Sequence, residues 1–248
     1  MGSIERHQEE ILFNQQQWNN KPVLRRIYKS FHTRLANHLP VSVNGAVMEI
    51  GSGVADITEV IPGCLRTDLF PNPWIDQVEN AYALSLADQS VAGIILFDVF
   101  HHLRYPGTAL KEFQRVLKPR GRVIIFEPGL SLLGNLVYGP LHPEPLGSQD
   151  PISWLAPEWW SPEEIDYYAA QGNANRVFLR EEVDFSRAGW KLIAIEQYAD
   201  ISYVASGGYS KPQLYPDFLY PVMRLVDQAF NLFPRLFATR LLVVLEKT

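Results

Sequence analysis

The stretch MEIGSGVAD, residues 48–56, decides the fold. It continues a short β-type run, AVMEI (46–50), that ends in Gly51-Ser52-Gly53. VADITEVI (54–61) then resumes helical spacing as far as Pro62-Gly63. A glycine-rich turn joining a strand to a helix is where a parallel α/β sheet takes its ligand. Gly51 and Gly53 let the backbone come close to that ligand, where a Cβ would intrude. The plainer alternative is a tight strand-to-helix turn that binds nothing.

The flanking charges discriminate among ligands. A dinucleotide fingerprint needs a third glycine so that pyrophosphate can sit on the helix N-terminus, but position 56 is Asp56. Glu49, just before the turn, would oppose an anion and suits an ammonium group. Asp68 ends the next short run, CLRTD, from which a carboxylate can accept hydrogen bonds from both ribose hydroxyls. A nucleoside with a cationic, unphosphorylated tail meets all three conditions, and S-adenosylmethionine is such a molecule.

Further along, AGIILF (92–97) and RVIIFEP (122–128) are continuous apolar runs of the kind found in strands covered on both faces. Between them GTALKEFQRVLKPRG places Leu110, Phe113 and Leu117 on one side of a helix stopped by Pro119. Strand, helix, short strand, strand, helix, strand over roughly 45–127 predicts a doubly wound parallel sheet. Residues 1–46 read as helices, with Pro22 in a first turn and Leu24, Ile27, Tyr28, Phe31 and Leu35 forming one apolar stripe. The stretch from 128 to about 185 is rich in proline and tryptophan, and a connection of that length usually serves as a lid or binding element. GWKLIAIEQY and TRLLVVLEK read as two closing strands.

The segments VMEIGSGVADITEVI, TDLFP, VENAYALSLADQSVAGIILFDVFHHL and ALKEFQRVLKPRGRVIIFEP resemble successive motifs of class I S-adenosylmethionine-dependent methyltransferases. The likeness is to their small-molecule, type 11-like branch, and it runs from about 46 to 128. It implies an α/β fold with a doubly wound, mostly parallel, seven-stranded Rossmann-like sheet and an antiparallel last strand. It also implies an N-terminal helical cap (1–45) on a methyltransferase domain (46–248), with a cofactor-binding core (46–128) and an inserted lid after strand five (129–187). By position, Glu49, Gly51, Ser52 and Gly53 would hold the methionine end, Asp68 the ribose, and Leu69 would pack near the adenine. Asn80 and Ala81 match the family's Asp-Ala pair that reads the adenine edge, while Phe97 and Asp98 would meet the methionine portion. Ala55 stands for the frequent third glycine and Asn80 for the usual aspartate. The short link from Asp68 to Asn80 reduces the second crossover to a turn.

Methyl transfer needs a base only if the acceptor arrives protonated. His101 and Glu127, at the ends of strands four and five, are the candidate catalytic residues. The resemblance implies that the first histidine of His101-His102 faces the reaction centre and the second is an internal hydrogen-bonder. Adjacent residues on a helical turn diverge by about 100°, and no further ligand set such as H-x-x-x-H accompanies them, so no metal is expected. The acceptor is expected to be a small molecule. The Leu-, Phe- and Tyr-rich segments 130–141 and 212–240 suggest a hydrophobic one (lipid, isoprenoid, polyketide or aromatic), unless they only cover the sheet. Two other function classes remain at this stage: a non-catalytic protein with the same fold that binds a partner, and an NAD-dependent oxidoreductase.

A net charge of -5 argues against a dedicated nucleic-acid binder. The single Cys64 cannot form an intrachain disulfide, and no apolar run approaches the roughly 20 residues of a membrane span. The first residues lack a secretory pattern, and Arg6 stands where myristoylation needs Ser or Thr. A soluble cytoplasmic protein is expected; membrane contact is unsupported, because no basic amphipathic face is evident. Oligomeric state is not legible.

Overall fold

A computed structural model describes residues 3–164, 167–184 and 188–248. Residues 165–166 and 185–187 of the expected lid therefore lie outside the described residues. The chain opens with α1 (Ser3–Asn20) and α2 (Pro22–Ala36), then runs through β1 (Ala46–Ile50), β2 (Leu65–Asp68), β3 (Gln77–Val78) and β4 (Val91–Phe97). Next come α3 (Pro106–Val116), β5 (Leu117–Pro128), α4 (Leu132–Tyr138), α5 (Asn173–Phe178) and β6 (Trp190–Tyr198). The chain closes with α6 (Ile201–Ser206), α7 (Tyr220–Phe230), α8 (Pro234–Phe237) and β7 (Arg240–Lys247).

The strands form one sheet in the order β3-β2-β1-β4-β5-β7-β6. β1 to β5 pair in parallel, and β7 is inserted antiparallel between β5 and β6. This is the α/β, Rossmann-like methyltransferase sheet that the sequence resemblance implied.

Alternation along the central strands builds two apolar layers. Ile94 and Leu96 of β4, Val123 and Ile125 of β5, and Leu241, Val243 and Leu245 of β7 pack with Leu110 and Phe113 of α3. The residues between them, Ile95, Phe97, Ile124, Phe126, Leu242 and Val244, face the opposite side and pack against Leu24, Ile27 and Phe31 of α2. The two-sided covering explains why these strands read as unbroken apolar runs.

The expected helix over 54–61 does not form. Only one 3-10 turn, Ile57–Glu59, follows the glycines, with the Asp56 carboxylate accepting from the Thr58 N–H at 2.9 Å. Val54, Ile57, Thr58, Val60 and Ile61 are β-branched, and Pro62 closes the window before a second turn could compensate. The vacated side of the sheet is covered by α2, which packs on Ala55, Ile57 and Ile61. The helix α3 ends at Val116, ahead of Pro119, because β5 begins at Leu117.

Since α2 is a wall of the core, Phe31→Ala should cost about 3–5 kcal/mol in chemical denaturation. Leu12→Ala, at an exposed position of α1, should stay within about 0.5 kcal/mol of the parent protein.

Candidate active site

The carboxyl ends of β1, β2 and β4 open into a cavity of about 390 Å³, the place where open α/β sheets bind ligands. Gly51, Gly53, Asp68, Leu69, Asn80, Ala81 and Asp98 line it, so seven of the residues singled out from sequence come together here. Gly51 and Gly53 have φ of 71° and 56°, a region that disfavours side chains. A Cβ on Gly51 would meet Val99 Cγ2 at 2.4 Å, whereas Gly53 faces open space. The glycine turn therefore needs both residues, the first for fit against Val99 in the turn after β4 and the second for conformation.

Glu49, Ser52 and Phe97 lie behind the cavity wall rather than on it. The Ser52 N–H donates to the Thr67 carbonyl at 2.9 Å, tying the turn to β2. Phe97 is stacked on Tyr28 at 5.1 Å between centroids. Glu49 is buried beneath the turn, and its Oε2 has no hydrogen-bond partner. Burial pushes its carboxyl up to about 8. A buried carboxylate oxygen left unpaired beside a cavity is costly unless a cation completes it, which fits a ligand carrying an ammonium group. The Asp68 Oδ1 accepts from the Leu69 N–H at 2.7 Å, which fixes the carboxylate at the cavity edge. Asn80 is committed within the protein: its amide donates to the Pro162 carbonyl at 2.7 Å and its oxygen accepts from Tyr82 N–H at 3.0 Å. Of the expected adenine-edge pair, only the Ala81 backbone and the shape of the wall remain. With the orphaned Glu49 oxygen, the open backbone at Gly53 and the Asp68 carboxylate, the donor set fits S-adenosylmethionine.

The histidine pair is arranged opposite to expectation. His101 is buried and off the cavity wall, while His102 lines it. Glu127 is fully buried on β5: its Oε1 accepts from the N–H groups of Val99 (2.8 Å) and Phe100 (2.6 Å), and its Oε2 meets His101 Nδ1 at 2.6 Å. Glu127 and His101 thus hold the turn after β4 and do not face the cavity. Burial opposes charge on His101, but the Glu127 carboxylate outweighs it, with help from Glu144, and raises the imidazole to about 10. His102 Nδ1 donates to the Tyr168 carbonyl at 2.8 Å, and burial together with His101 lowers it to about 4. The two rings do not diverge: they sit 4.1 Å apart, tilted by 42°. Phe100–His102 is a 3-10 turn, and the separate anchors at Glu127 and Tyr168 turn both rings the same way.

Several further residues complete the wall, of which the sequence pointed only to Trp160. Tyr82, Trp160, Tyr167 and Tyr168 supply rings, and Arg104 and Glu144 supply charge. Trp160 sits edge-on to Tyr82 at 4.9 Å and to Tyr105 at 5.0 Å. Glu144, Trp160, Pro162, Tyr167 and Tyr168 from the segment after β5 line the cavity, and that segment packs on Gly107, whose missing side chain leaves room for the Trp154 indole. Glu10, Ile11 and Asn14 of α1 also reach the cavity. The apolar segments 130–141 and 212–240 do not. Their helices turn Tyr138 and Tyr220 inward and leave Leu132, Leu136, Phe218, Leu225 and Leu232 exposed. Among the described residues no helix is long and apolar enough to cross a membrane.

Known proteins share this fold. Residues 54–125 match the model of a family described as a methyltransferase domain. No curated protein matches the chain. Among solved structures, the chain is similar to a methyltransferase from Haloferax volcanii, solved in complex with the Trm112 methyltransferase activator, at 17% identity and TM-score 0.56 over 99% of this chain and 97% of that one. It is similar to a SAM-dependent methyltransferase from Archaeoglobus fulgidus at 14% identity and TM-score 0.53, covering 90% and 94%. Geranyl diphosphate C-methyltransferase from Streptomyces coelicolor gives 13% identity and TM-score 0.52 over 90% of this chain and 77% of that one.

The raised Glu49 carboxyl has a definite sign. Folded Glu49 keeps its proton up to about 8 while the unfolded chain releases it near 4.5, so its contribution to stability falls as pH rises through that window. Glu49→Gln should lack this decline, so that its melting temperature gains on the parent between those two pH values, while its affinity for S-adenosylhomocysteine drops. Gly51→Ala should lower both stability and affinity, read in the same melting and calorimetric measurements.

Proposed function

We propose that this chain, whose residues 54–125 match a methyltransferase domain, is an S-adenosylmethionine-dependent methyltransferase that moves a methyl group to a small, ring-bearing acceptor held in the cavity. The observation that carries this reading is the composition of that cavity. Tyr82, Trp160, Tyr167 and Tyr168 stand around it with Arg104 and Glu144, while the long apolar segments stay away. Flat aromatic walls with a few charged groups suit a compact aromatic or polyketide-like molecule with polar substituents better than a long acyl chain.

In this reading Gly51 and Gly53 hold the methionine end and Glu49 balances the ammonium from beneath the turn. Asp68 takes the ribose hydroxyls, and Leu69 and Ala81 flank the base. Asp98 bounds the methionine end, with its carboxylate held by Arg240. The bound cofactor supplies an activated methyl carbon. What remains for the protein is to align acceptor and methyl in a space without water, which is worth ~7–11 kcal/mol in well-oriented systems. A cavity of about 390 Å³ lies near the low end for one drug-sized ligand, so the acceptor would sit at the rim where the 129–187 segment closes. His102 is the histidine such an acceptor meets. His101 and Glu127 act through it as positioning residues, by fixing the turn that carries it.

The test is transfer of labelled methyl from S-adenosylmethionine to a panel of phenols, aromatic amines and polyketides, beside a panel of fatty-acyl and isoprenoid lipids. Label should appear in the ring-bearing set, and label confined to the lipids would overturn the acceptor class. Asp68→Ala should weaken S-adenosylhomocysteine about 10- to 100-fold, the size of one or two lost charge-assisted hydrogen bonds. Absence of any S-adenosylhomocysteine binding by the parent protein would favour a non-catalytic protein of the same fold.

A further inference from the structure

We propose that His101, His102 and Glu144 form a site for a divalent transition-metal ion of the zinc class, with His102 and Glu144 on the wall of the same cavity and His101 just behind it. One ligand atom from each of the three residues, a ring nitrogen of each histidine and a carboxylate oxygen of Glu144, lies within 4.8 Å of the others. His101 Nε2 is 3.6 Å from Glu144 Oε2, and His102 Nε2 is 3.7 Å from Glu144 Oε1. Ligand atoms around a tetrahedral zinc at about 2.0–2.1 Å are separated by roughly 3.4 Å, so only small rotations are needed to close the set.

The surroundings are those of a built site. Metal-binding imidazoles usually give their second nitrogen to a carboxylate or a backbone carbonyl, which sets the tautomer and aims the ring. Both arrangements are present: His101 Nδ1 meets the buried Glu127 carboxylate at 2.6 Å, and His102 Nδ1 meets the Tyr168 carbonyl at 2.8 Å. The Tyr167 hydroxyl donates to Glu144 Oε1 at 2.7 Å, steadying the third ligand.

Gln171 gives an independent indication. It is 2% exposed, its Oε1 has no partner, and its Nε2 lies 3.3 Å from His101 Nε2 and in contact with Glu144. Turning the amide over exchanges its two ends and brings the unpartnered oxygen to the cluster as a fourth ligand. Charge favours the ion as well. Two carboxylates, Glu127 and Glu144, flank the His101 ring in a mostly buried place, a setting that suits a dication. The imidazoles select a transition ion over magnesium or calcium, which prefer oxygen ligands. His102 and Glu144 line the cavity, so an ion here could meet an oxygen of the acceptor. That last consequence rests on the reading of the previous subsection, whereas the site itself does not.

The experiment is calorimetric titration of chelator-stripped full-length protein with Zn²⁺ and with Mg²⁺, without donor or acceptor, together with the visible spectrum after Co²⁺ addition. The expected result is a single Zn²⁺ equivalent, intense Co²⁺ d–d bands and no Mg²⁺ binding in the same range. His102→Ala and Glu144→Gln should each weaken Zn²⁺ at least about 10-fold, with circular dichroism and melting like the parent's. His38→Ala, outside the cluster, should leave it unchanged. No Zn²⁺ binding by the parent protein, or binding indifferent to both cluster substitutions in folded variants, would overturn the site. Should one variant fail to fold, the other and the Co²⁺ spectrum still decide.

Discussion

The Glu127 carboxylate is the interaction on which the site depends. One oxygen takes the N–H groups of Val99 and Phe100, the other takes the His101 imidazole, and the side chain is fully buried. These bonds stop β4 and turn the chain where it must present Val99 to the glycine turn and His102 to the cavity. Val99 fills the space that the absent Gly51 side chain leaves, so the two turns are fitted to each other. Removing the carboxylate would strand several buried donors, each costing about 1–3 kcal/mol. The glycine-turn side and the histidine side of the cavity are thus held by one buried group.

A second ion pair, between half-buried Asp98 and buried Arg240, does similar work at the residue before Val99. Asp98 has φ of 55°, a conformation unusual for a residue with a side chain, and its carboxylate pairs with Arg240. Arg240 lies 4.5 Å from the Tyr203 ring and within 5.6 Å of Phe31, Phe97 and Phe126. A buried ion pair is weak evidence for stability in itself. Here the rings and the carboxylate together keep the guanidinium in place. The first residue of β7 is thereby joined to α2, β4 and β5, and the end of β4 is held where it bounds the cavity.

The sheet and the glycine turn were legible because burial on both faces writes itself as continuous apolar runs, and because positive φ restricts residue choice at Gly51 and Gly53. The antiparallel β7 was legible only through resemblance. Other features were hidden for identifiable reasons. The window 54–61 shows helical spacing, yet five β-branched residues and Pro62 leave one turn. The orientation of the histidines depends on partners 26 and 66 residues away, which spacing cannot reveal. Glu144 is one acid in a proline-rich connection and acquires meaning only beside His101 and His102. The apolar segments after 129 were legible as apolar, but their composition does not say whether they face a ligand, the sheet or solvent.

The substitution of α2 for a crossover helix has a consequence for how the chain assembles. In an ordinary crossover, the covering helix lies between the strands it packs on and can dock as soon as they pair. Here the covering stripe of Leu24, Ile27 and Phe31 precedes every strand it packs on, and part of its partner surface, Leu242 and Val244, follows only on β7. Contacts of such sequence separation are slow to form, and apolar surface that waits for them is prone to association. The emerging chain carries its stripe partly unshielded until β7 has been made. The addition of β7 (Arg240–Lys247) therefore completes the sheet and covers that stripe in the same event.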